Sequence, residues 1–397
     1  MQRPYQLVIV GAGILGAATA REYLQRHPGH RVLVIEKEGE PASHQTGRNS
    51  GVIHAGVYYP PGSLKARYCK EGLEQTIAFC QDHNIPYLQC GKLIVATNPL
   101  EEERLGALFG RCQENGLDPQ YLHATALKTA EPNIEGRAAI LVRQTGIVDY
   151  ARITRTMLGQ AQSMGAEVQY KARVMALNET EHEMRIDTPH GSYRAERLVN
   201  CAGLMADRLI RLQGIATDFQ IVPFRGEYYR LPSRFNQIVN HLIYPVPDPA
   251  LPFLGVHLTP IIDGSVTVGP NAVLALAREG YDWSSINPAD LLELCSFSGF
   301  WSLLWRYRQS GTLELGNSLF KSRYLAQVRK YCPQIGIDDL LPHRSGVRAQ
   351  AVTASGELMH DFAFVQTARS LHLGNAPSPA ATSAIPIARA IVDKLDG

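Results

Sequence analysis

The sequence is short of several features that would assign it to a class at sight, and each shortage excludes something. Its seven cysteines, at 69, 80, 90, 112, 201, 295 and 332, are an odd number without a CxxC spacing. That fits neither a disulfide frame nor a zinc site, and reads as reduced, mostly buried thiols of a cytosolic chain with no metal centre. There is no excess of one charge: 39 Lys and Arg stand against 37 Asp and Glu, a net +2. Nothing there directs the chain to nucleic acid. No uninterrupted apolar run reaches the length of a membrane span. Too few residues precede the first apolar run for a signal or transit peptide. What remains is ordinary: 397 residues, 45% apolar and 19% charged, enough for two or three domains with a large core. The expectation is a cytoplasmic protein, soluble or peripheral on the inner face of the cell membrane.

The first fifty residues carry the clearest pattern. YQLVIV (5–10) is a β-branched apolar run, as a strand buried on both faces requires. GAGILG then places Gly11, Gly13 and Gly16 in GxGxxG spacing, with Ile14 opening an alanine-rich helix. RVLVIEK (31–37) is a second buried strand, with Glu36 twenty residues after Gly16 and Lys37 beside it. Strand, glycine turn, helix, strand and terminal acid in this order form a dinucleotide-binding unit. Gly11 permits the tight turn, Gly13 the approach of backbone to a pyrophosphate, and Gly16 close packing of helix on strand. The helix N-terminus offers N–H groups to the phosphates, and Glu36 accepts ribose hydroxyls. The unit stands at the extreme N-terminus, and no second GxGxxG follows. That suits one tightly held FAD better than a reductase needing a second fold for NAD(P)H.

HQTGRNSGVIHAG (44–56) follows where the chain must cross the strand ends, the place ligands occupy in doubly wound sheets. Thr46, Arg48, Asn49 and Ser50 offer donors and acceptors, and Gly51 lets backbone come close to a ligand. VIHAGVYY brings His54 towards the far end of such a cofactor, and the basic helix SLKARYCKEGL, with Lys65, comes next. A histidine bonded only to backbone is the plain alternative for His54.

The run HQTGRNSGVIHAGVYYPPGSLKARYC resembles the second FAD-contact segment of the L-2-hydroxyglutarate oxidases and dehydrogenases. These belong to the D-amino-acid-oxidase-like flavoprotein superfamily, with glycine oxidase, sarcosine oxidase and flavin-linked glycerol-3-phosphate dehydrogenase. The resemblance spans essentially the whole chain. It implies an α/β fold, α+β overall: a Rossmann-like FAD-binding domain and a second domain on a mixed or antiparallel sheet flanked by helices. The expected boundaries are 1–85, 145–215 and 335–397 for the discontinuous FAD domain, and 86–144 with 216–334 for the substrate domain.

Later segments can be placed on this scheme. EVQYKARVMAL (167–177) reads as a strand, and RLVNCAG (197–203) as a buried strand running into a helix. In the superfamily such a strand end, here Ala202 and Gly203, lies beside the cofactor, with backbone near Val174 meeting the adenine. FQIVPFRGEYYRL, NHLIYPVP, FLGVHLTPI and GSVTVGPNA read as an antiparallel sheet. Arg225, Tyr228, His257 and Asn271 are polar groups on or beside these apolar strands, so each is either satisfied structurally or aimed at a ligand. VHLTP and VGPNA resemble the family pattern, which raises His257 as an active-site residue. GVRAQAV (346–352) and LHLGNAPSPAATSAIPIARAIVDKL (371–395) close the chain. Gly346 is a further expected cofactor contact. Arg348 corresponds to the superfamily arginine near a substrate carboxylate. The stretch Ser378, Pro379, Ala380, Ala381 and Thr382 resembles the last flavin contact, at the start of a helix whose dipole favours negative charge on the flavin N1–C2 oxygen.

Residues 289–308, ADLLELCSFSGFWSLLWRYR, carry Phe297, Phe300, Trp301, Leu304 and Trp305 at helical spacing, followed by Arg306 and Arg308. Two readings stand: a helix lying in a bilayer interface, near a membrane quinone, or a helix packed on the protein itself.

The expected activity is oxidation of a small dicarboxylic 2-hydroxy acid, L-2-hydroxyglutarate, to 2-oxoglutarate by a non-covalent FAD, with electrons passed to a membrane quinone or oxygen. A histidine suits the base because its pKa is near working pH, His257 first and His54 second. Two carboxylates need two cationic anchors; Arg348 is one, and Arg225, Lys65 and Lys321 compete for the other, with Tyr228 and Asn271 as polar neighbours. The rival readings are an amine-oxidising relative of the glycine or sarcosine oxidase type, and a non-catalytic flavin-holding subunit of a membrane complex.

Overall fold

The apolar run 5–10 forms the strand Tyr5–Val10, central in an eight-stranded sheet. It pairs in parallel with Val32–Ile35 on one side and with the end of Gly191–Asn200 on the other. Leu7, Ile9, Val32 and Val34 face one core cluster, and Val8, Val10, Leu33 and Ile35 face another. Both faces are covered, which is why the alternation expected of a half-exposed strand is missing here. The helix Ile14–Arg26 packs with Tyr150–Ser163 and Ala384–Asp396 against the first of these faces. Gly16 makes that packing tight: a Cβ there would stand 1.9 Å from the carbonyl oxygen of Gly11. The computed structural model describes residues 3–249, 251 and 253–397.

A second eight-stranded sheet is mixed. It runs in the order Leu341–Pro342, Tyr229–Arg230, Val266–Val268, Leu258–Pro260, Leu242–Pro245, Lys92–Ala96, Ala138–Val142 and Pro119–His123. Between the two large sheets, Phe219–Gly226 pairs antiparallel with Gly346–Thr353, with Phe224 opposite Arg348. The architecture is the mixed α/β arrangement expected, with helices around more than one sheet.

Four local expectations need correction. The segment 167–177 is not one strand: Glu167–Gln169 ends early, and the next strand starts at Ala176. Lys171 between them has φ +55°, which an extended strand does not allow. The four segments of 216–270 do not form one antiparallel sheet. Leu242–Pro245 pairs in parallel with Lys92–Ala96, and Phe219–Gly226 leaves for the smaller sheet. Period-2 patterning identifies strands without naming their partners. The closing helix starts at Ala384, so Ser378 to Thr382 form the turn before it. The aromatic stretch 289–308 is broken at Phe297, whose extended backbone separates the helices Pro288–Ser296 and Ser298–Arg306.

Candidate active site

A long cavity of about 1250 Å³ runs from the glycine turn, past the 43–50 segment and the turn 376–382, to the substrate-side strands. Its first end is made by backbone. Gly11, with φ +105°, turns the chain where a Cβ would be 2.6 Å from the Cys201 carbonyl oxygen. The Glu36 carboxylate accepts from the N–H of Ala12 at 2.8 Å and of Glu38 at 2.9 Å, so it is fixed at the strand end. Thr46 Oγ1 accepts from the Ile14 N–H at 3.1 Å. The neighbouring N–H groups of Gly13 and Leu15, both on the cavity wall, have no acceptor among the described residues. Free donors at a helix N-terminus suit a pyrophosphate.

The same holds at the opposite wall. The N–H groups of Ala380 and Ser383 are taken by the carbonyls of Pro377 and Pro379, both at 3.0 Å. Those of Ala381 and Thr382 have no acceptor among the described residues, and both residues line the cavity. Thr382 is anchored by Tyr150, with hydroxyl oxygens 2.8 Å apart, and accepts from the His54 N–H at 3.1 Å. A cavity of this length, with donors free at two places and a fixed acid at one end, fits a dinucleotide such as FAD.

Most residues singled out from the sequence meet here. Gly11, Gly13, Ile14, Glu36, Lys37, Thr46, Arg48, Asn49, Ser50, Val174, Ala202, Gly203, Gly346 and the turn 378–382 line the cavity. Gly16 and Gly51 stand behind its wall, where they allow close packing rather than contact with the space. Lys37 is already engaged. Its ammonium is 2.5 Å from Glu38 and 2.6 Å from Glu279, filling the cluster of carboxylates that includes His44.

At the far end the wall carries His54, Tyr58, Tyr59, Lys65, Tyr228, Tyr244, Phe253, His257 and Arg348. The His257 ring stacks on Tyr244 at 3.9 Å between centroids, and its Nδ1 lies 3.0 Å from the Gly255 carbonyl oxygen. Nδ1 is therefore the protonated nitrogen, which leaves Nε2 with a free lone pair. Burial, with Lys92 and Arg348 nearby, lowers His257 to about 3. Burial, followed by the field of Lys92, also holds His54 well below its ordinary value. Both rings are neutral. The Arg348 guanidinium makes no hydrogen bond or ion pair among the described residues; Tyr228, Glu314 and Tyr244 act on it only through their fields, and it lies 5.0 Å from the Phe253 ring. Lys65 has none either from its ammonium, and burial lowers it to about 8 against the opposing field of Asp361.

Three of the expected substrate-binding residues lie outside the cavity wall. Arg225 is fully buried, and its guanidinium meets Glu227 at 2.9 Å and the Asp282 carbonyl oxygen at 2.9 Å. Asn271 accepts from the Glu227 N–H and donates to its carboxylate, both at 2.8 Å. Lys321 reaches towards the Tyr229 ring at 5.9 Å. The first two are buried polar groups satisfied by Glu227, which both of them bond. Residues missed in the sequence include Tyr244 and Lys92. Tyr244 was readable only as one of several strand aromatics. Lys92 opens the apolar run KLIVA, where a lysine reads as a solvated strand end.

Comparison with known proteins gives findings of three kinds: a family model, relatives in sequence and solved structures. A family model described as FAD dependent oxidoreductase matches residues 6–394. The chain is 53% identical over 392 residues to an L-2-hydroxyglutarate dehydrogenase of Escherichia coli (strain K12), covering 98% of this chain and 93% of that one. It is 40% identical over 403 residues to the mitochondrial L-2-hydroxyglutarate dehydrogenase of Mus musculus, covering 97% and 87%. Among solved structures, an FAD-bound L-alpha-glycerophosphate oxidase of Mycoplasma pneumoniae superposes with a TM-score of 0.80 at 23% identity, covering 100% of this chain and 96% of the other. Glycine oxidase of Geobacillus kaustophilus follows the same fold, with a TM-score of 0.76 at 17% identity, covering 100% and 95%.

Proposed function

The chain belongs to the FAD-dependent oxidoreductase family, and from that premise we propose that it oxidises L-2-hydroxyglutarate to 2-oxoglutarate. The observation that carries this reading is the far end of the cavity. Two cations that bond no carboxylate, Arg348 and Lys65, line the same cavity as a neutral histidine with a free Nε2. A buried cation without a partner is costly, and a dicarboxylate supplies two.

FAD, when bound, would supply the two-electron sink for the Cα hydrogen of the substrate. Gly13, Leu15, Thr46 and Glu36 would hold its adenosine and pyrophosphate, and the free N–H groups of Ala381 and Thr382 would be available to its ring. Arg348 binds one substrate carboxylate in a bidentate pair, and Lys65 the other. Tyr228, whose phenol burial keeps protonated, donates to the same end of the substrate. His257 Nε2 takes the hydroxyl proton. The Nδ1–H bond to Gly255 holds the ring in that tautomer and steadies the imidazolium that forms. A nitrogen lowered to about 3 is a weak base in the empty site. The incoming dianion opposes the fields of Lys92 and Arg348, which raises His257 at the moment it is needed. His54, without a fixed Nδ1, is the second choice for this role.

Anaerobic addition of L-2-hydroxyglutarate to the FAD-loaded protein tests the reading. Loss of flavin absorbance with this acid, and none with the D-isomer, glycine or glycerol 3-phosphate, is expected. Bleaching by glycine alone would assign the site to amine oxidation.

The electron acceptor belongs to a finer reading, a quinone at a lipid surface. No helix among the described residues is long and apolar enough to cross a membrane. Supporting the surface reading, Leu292, Trp301, Trp305, Leu313, Leu319 and Phe320 are all exposed on the helices from 288 to 319 and the residue after them. Arg308 lies over the Trp305 ring at 4.6 Å, and Lys321 and Arg323 follow. Phe300 and Leu303 turn inward instead. Co-sedimentation with anionic vesicles, lost in the double variant Trp301→Ser, Trp305→Ser, is the expected result; retention in that variant refutes the assignment.

A further inference from the structure

We infer that Lys92 is a positioning residue for this reaction: its buried ammonium, held against the rings of Tyr58 and Tyr244, keeps His257 aligned and uncharged. The inference rests on the assignment of His257 as proton acceptor.

Lys92 opens the strand Lys92–Ala96, which has neighbours on both sides. It stands opposite Val142 in one and Leu242 in the other. Its backbone is therefore fixed, and the side chain cannot swing out to water. The residue is 1% exposed. Ile94 and Ala96, which share its face of the strand, belong to an apolar cluster with Tyr244 and Leu242. No hydrogen bond or ion pair holds the ammonium among the described residues. Its contacts are aromatic, 4.1 Å to the Tyr244 ring centre and 5.2 Å to that of Tyr58. Cation–π attraction strengthens when both groups are desolvated. Tyr244 is also the ring on which His257 stacks, at 3.9 Å and 21°. One ring thus joins the ammonium to the imidazole.

The surroundings leave the charge uncompensated. Facing Lys92 are Cys69 of the helix Leu64–Asp82, Cys112 of the helix Pro99–Glu114, and Cys90 beside it. Burial raises all three thiols, to about 12, 11 and 11, so they are neutral. Burial lowers Lys92 itself to about 8, so it remains mostly charged at neutral pH. Around His257 stand Tyr244, the Gly255 carbonyl, Lys92, Arg348 and His54, a neutral ring that lies in the field of Lys92 as well. Arg348 faces the cavity, where a substrate carboxylate neutralises it. Lys92 lies behind the wall, where no substrate reaches. Its field therefore persists through the reaction and favours release of the proton from His257.

The experiment uses the FAD-loaded protein with Lys92→Met, which keeps length without charge, Lys92→Gln as a second neutral form, and Lys92→Arg, which keeps charge. Two measurements are made: kcat against pH with L-2-hydroxyglutarate and a dye acceptor, and the histidine ring resonances of isotope-labelled protein against pH. The His257 signal is identified by its loss in His257→Gln. In both neutral variants the acid limb of kcat and the onset of His257 protonation are expected to move up by about one pH unit, a roughly tenfold loss of rate on that limb. Lys92→Arg keeps the wild-type limb. A structural role alone lowers rate or flavin content evenly across pH. An unmoved His257 onset in the neutral variants overturns the proposal. The resonances need no turnover, so they decide it even if no hydroxy acid is oxidised, a result that would instead remove the functional reading.

Discussion

Two groups of cations in this molecule are built in opposite ways. In the first, Arg208, Arg211 and Arg278 meet Asp207, Asp290 and Glu293 between the helices Ala206–Leu212 and Pro288–Ser296. Arg278 bonds both oxygens of Asp207, at 2.5 and 2.8 Å, and both residues are buried. In the second, Lys65, Lys92 and Arg348 gather near the far end of the cavity with aromatic neighbours and no ion pair among the described residues. The first group satisfies itself and joins elements of the fold. The second is left open: the anions missing from Lys65 and Arg348 are those the proposed substrate carries, while Lys92 stays uncompensated behind the wall. Paired charge inside a protein is weak evidence of function; unpaired charge facing a cavity is much stronger.

Breaking the paired group gives the largest effect. Arg278→Met leaves Asp207 buried with one fewer cation, and the expected cost is about 3–5 kcal/mol of stability. Urea unfolding checks it. The FAD-loaded variant that remains folded keeps its KM for the hydroxy acid. A loss below about 1 kcal/mol would mean that water replaces the guanidinium, so that the group does not join the two helices as described.

Breaking the open group affects binding and catalysis instead. Arg348→Met is expected to lower kcat/KM for L-2-hydroxyglutarate by about 10²–10³-fold, some 3–4 kcal/mol, with flavin content and unfolding midpoint nearly unchanged. Removing a cation that bonds no carboxylate breaks no ion pair, and Glu314, which feels its field, keeps its bond from the Ala272 N–H at 3.0 Å. If Arg348→Met is destabilised as much as Arg278→Met, the contrast between the groups collapses.

The contrast also marks how far the sequence was legible. The glycine turn was readable because Gly11 and Gly16 of GAGILG meet geometric demands that few other residues can, and Glu36 follows at the end of an unmistakable buried strand. His257 and Arg348 were legible only with the help of resemblance. Arg225 and Asn271 look identical to them in sequence, as polar groups on apolar strands. What separates the two kinds is whether Glu227 stands nearby in space, and that depends on the fold. Lys92 was invisible for the same reason. Its meaning comes from Leu242–Pro245 pairing in parallel with its strand, which brings Tyr244 beside it across a separation of some 150 residues. The broken helix at Phe297 had a nearer cause. Gly299 packs so closely that a Cβ would lie 2.1 Å from the Thr353 carbonyl oxygen, a tertiary demand that no helical periodicity encodes.

Lys65 gives the smallest effect and the sharpest test of the open group, because its charge can be removed without mutation. Burial lowers its ammonium to about 8, and Asp361, whose carboxylate accepts from the N–H groups of Leu64 and Lys65 at 3.1 Å each, only partly opposes this. Below pH 7 the side chain is charged and ready for a carboxylate. Above pH 8 the substrate must bind a neutral amine or draw a proton from solvent. Apparent affinity therefore falls as pH rises through the Lys65 pKa, and KM is expected to increase about tenfold between pH 7 and pH 9. Lys65→Arg carries a guanidinium that stays protonated throughout, so its KM should be flat over this range. Lys65→Met should be flat as well, but uniformly higher. Steady-state kinetics in the three forms separates these outcomes. A wild-type KM that does not change to pH 9, or a rise that persists in Lys65→Met, would assign the second carboxylate to some other group and leave Arg348 as the single anchor of this reading.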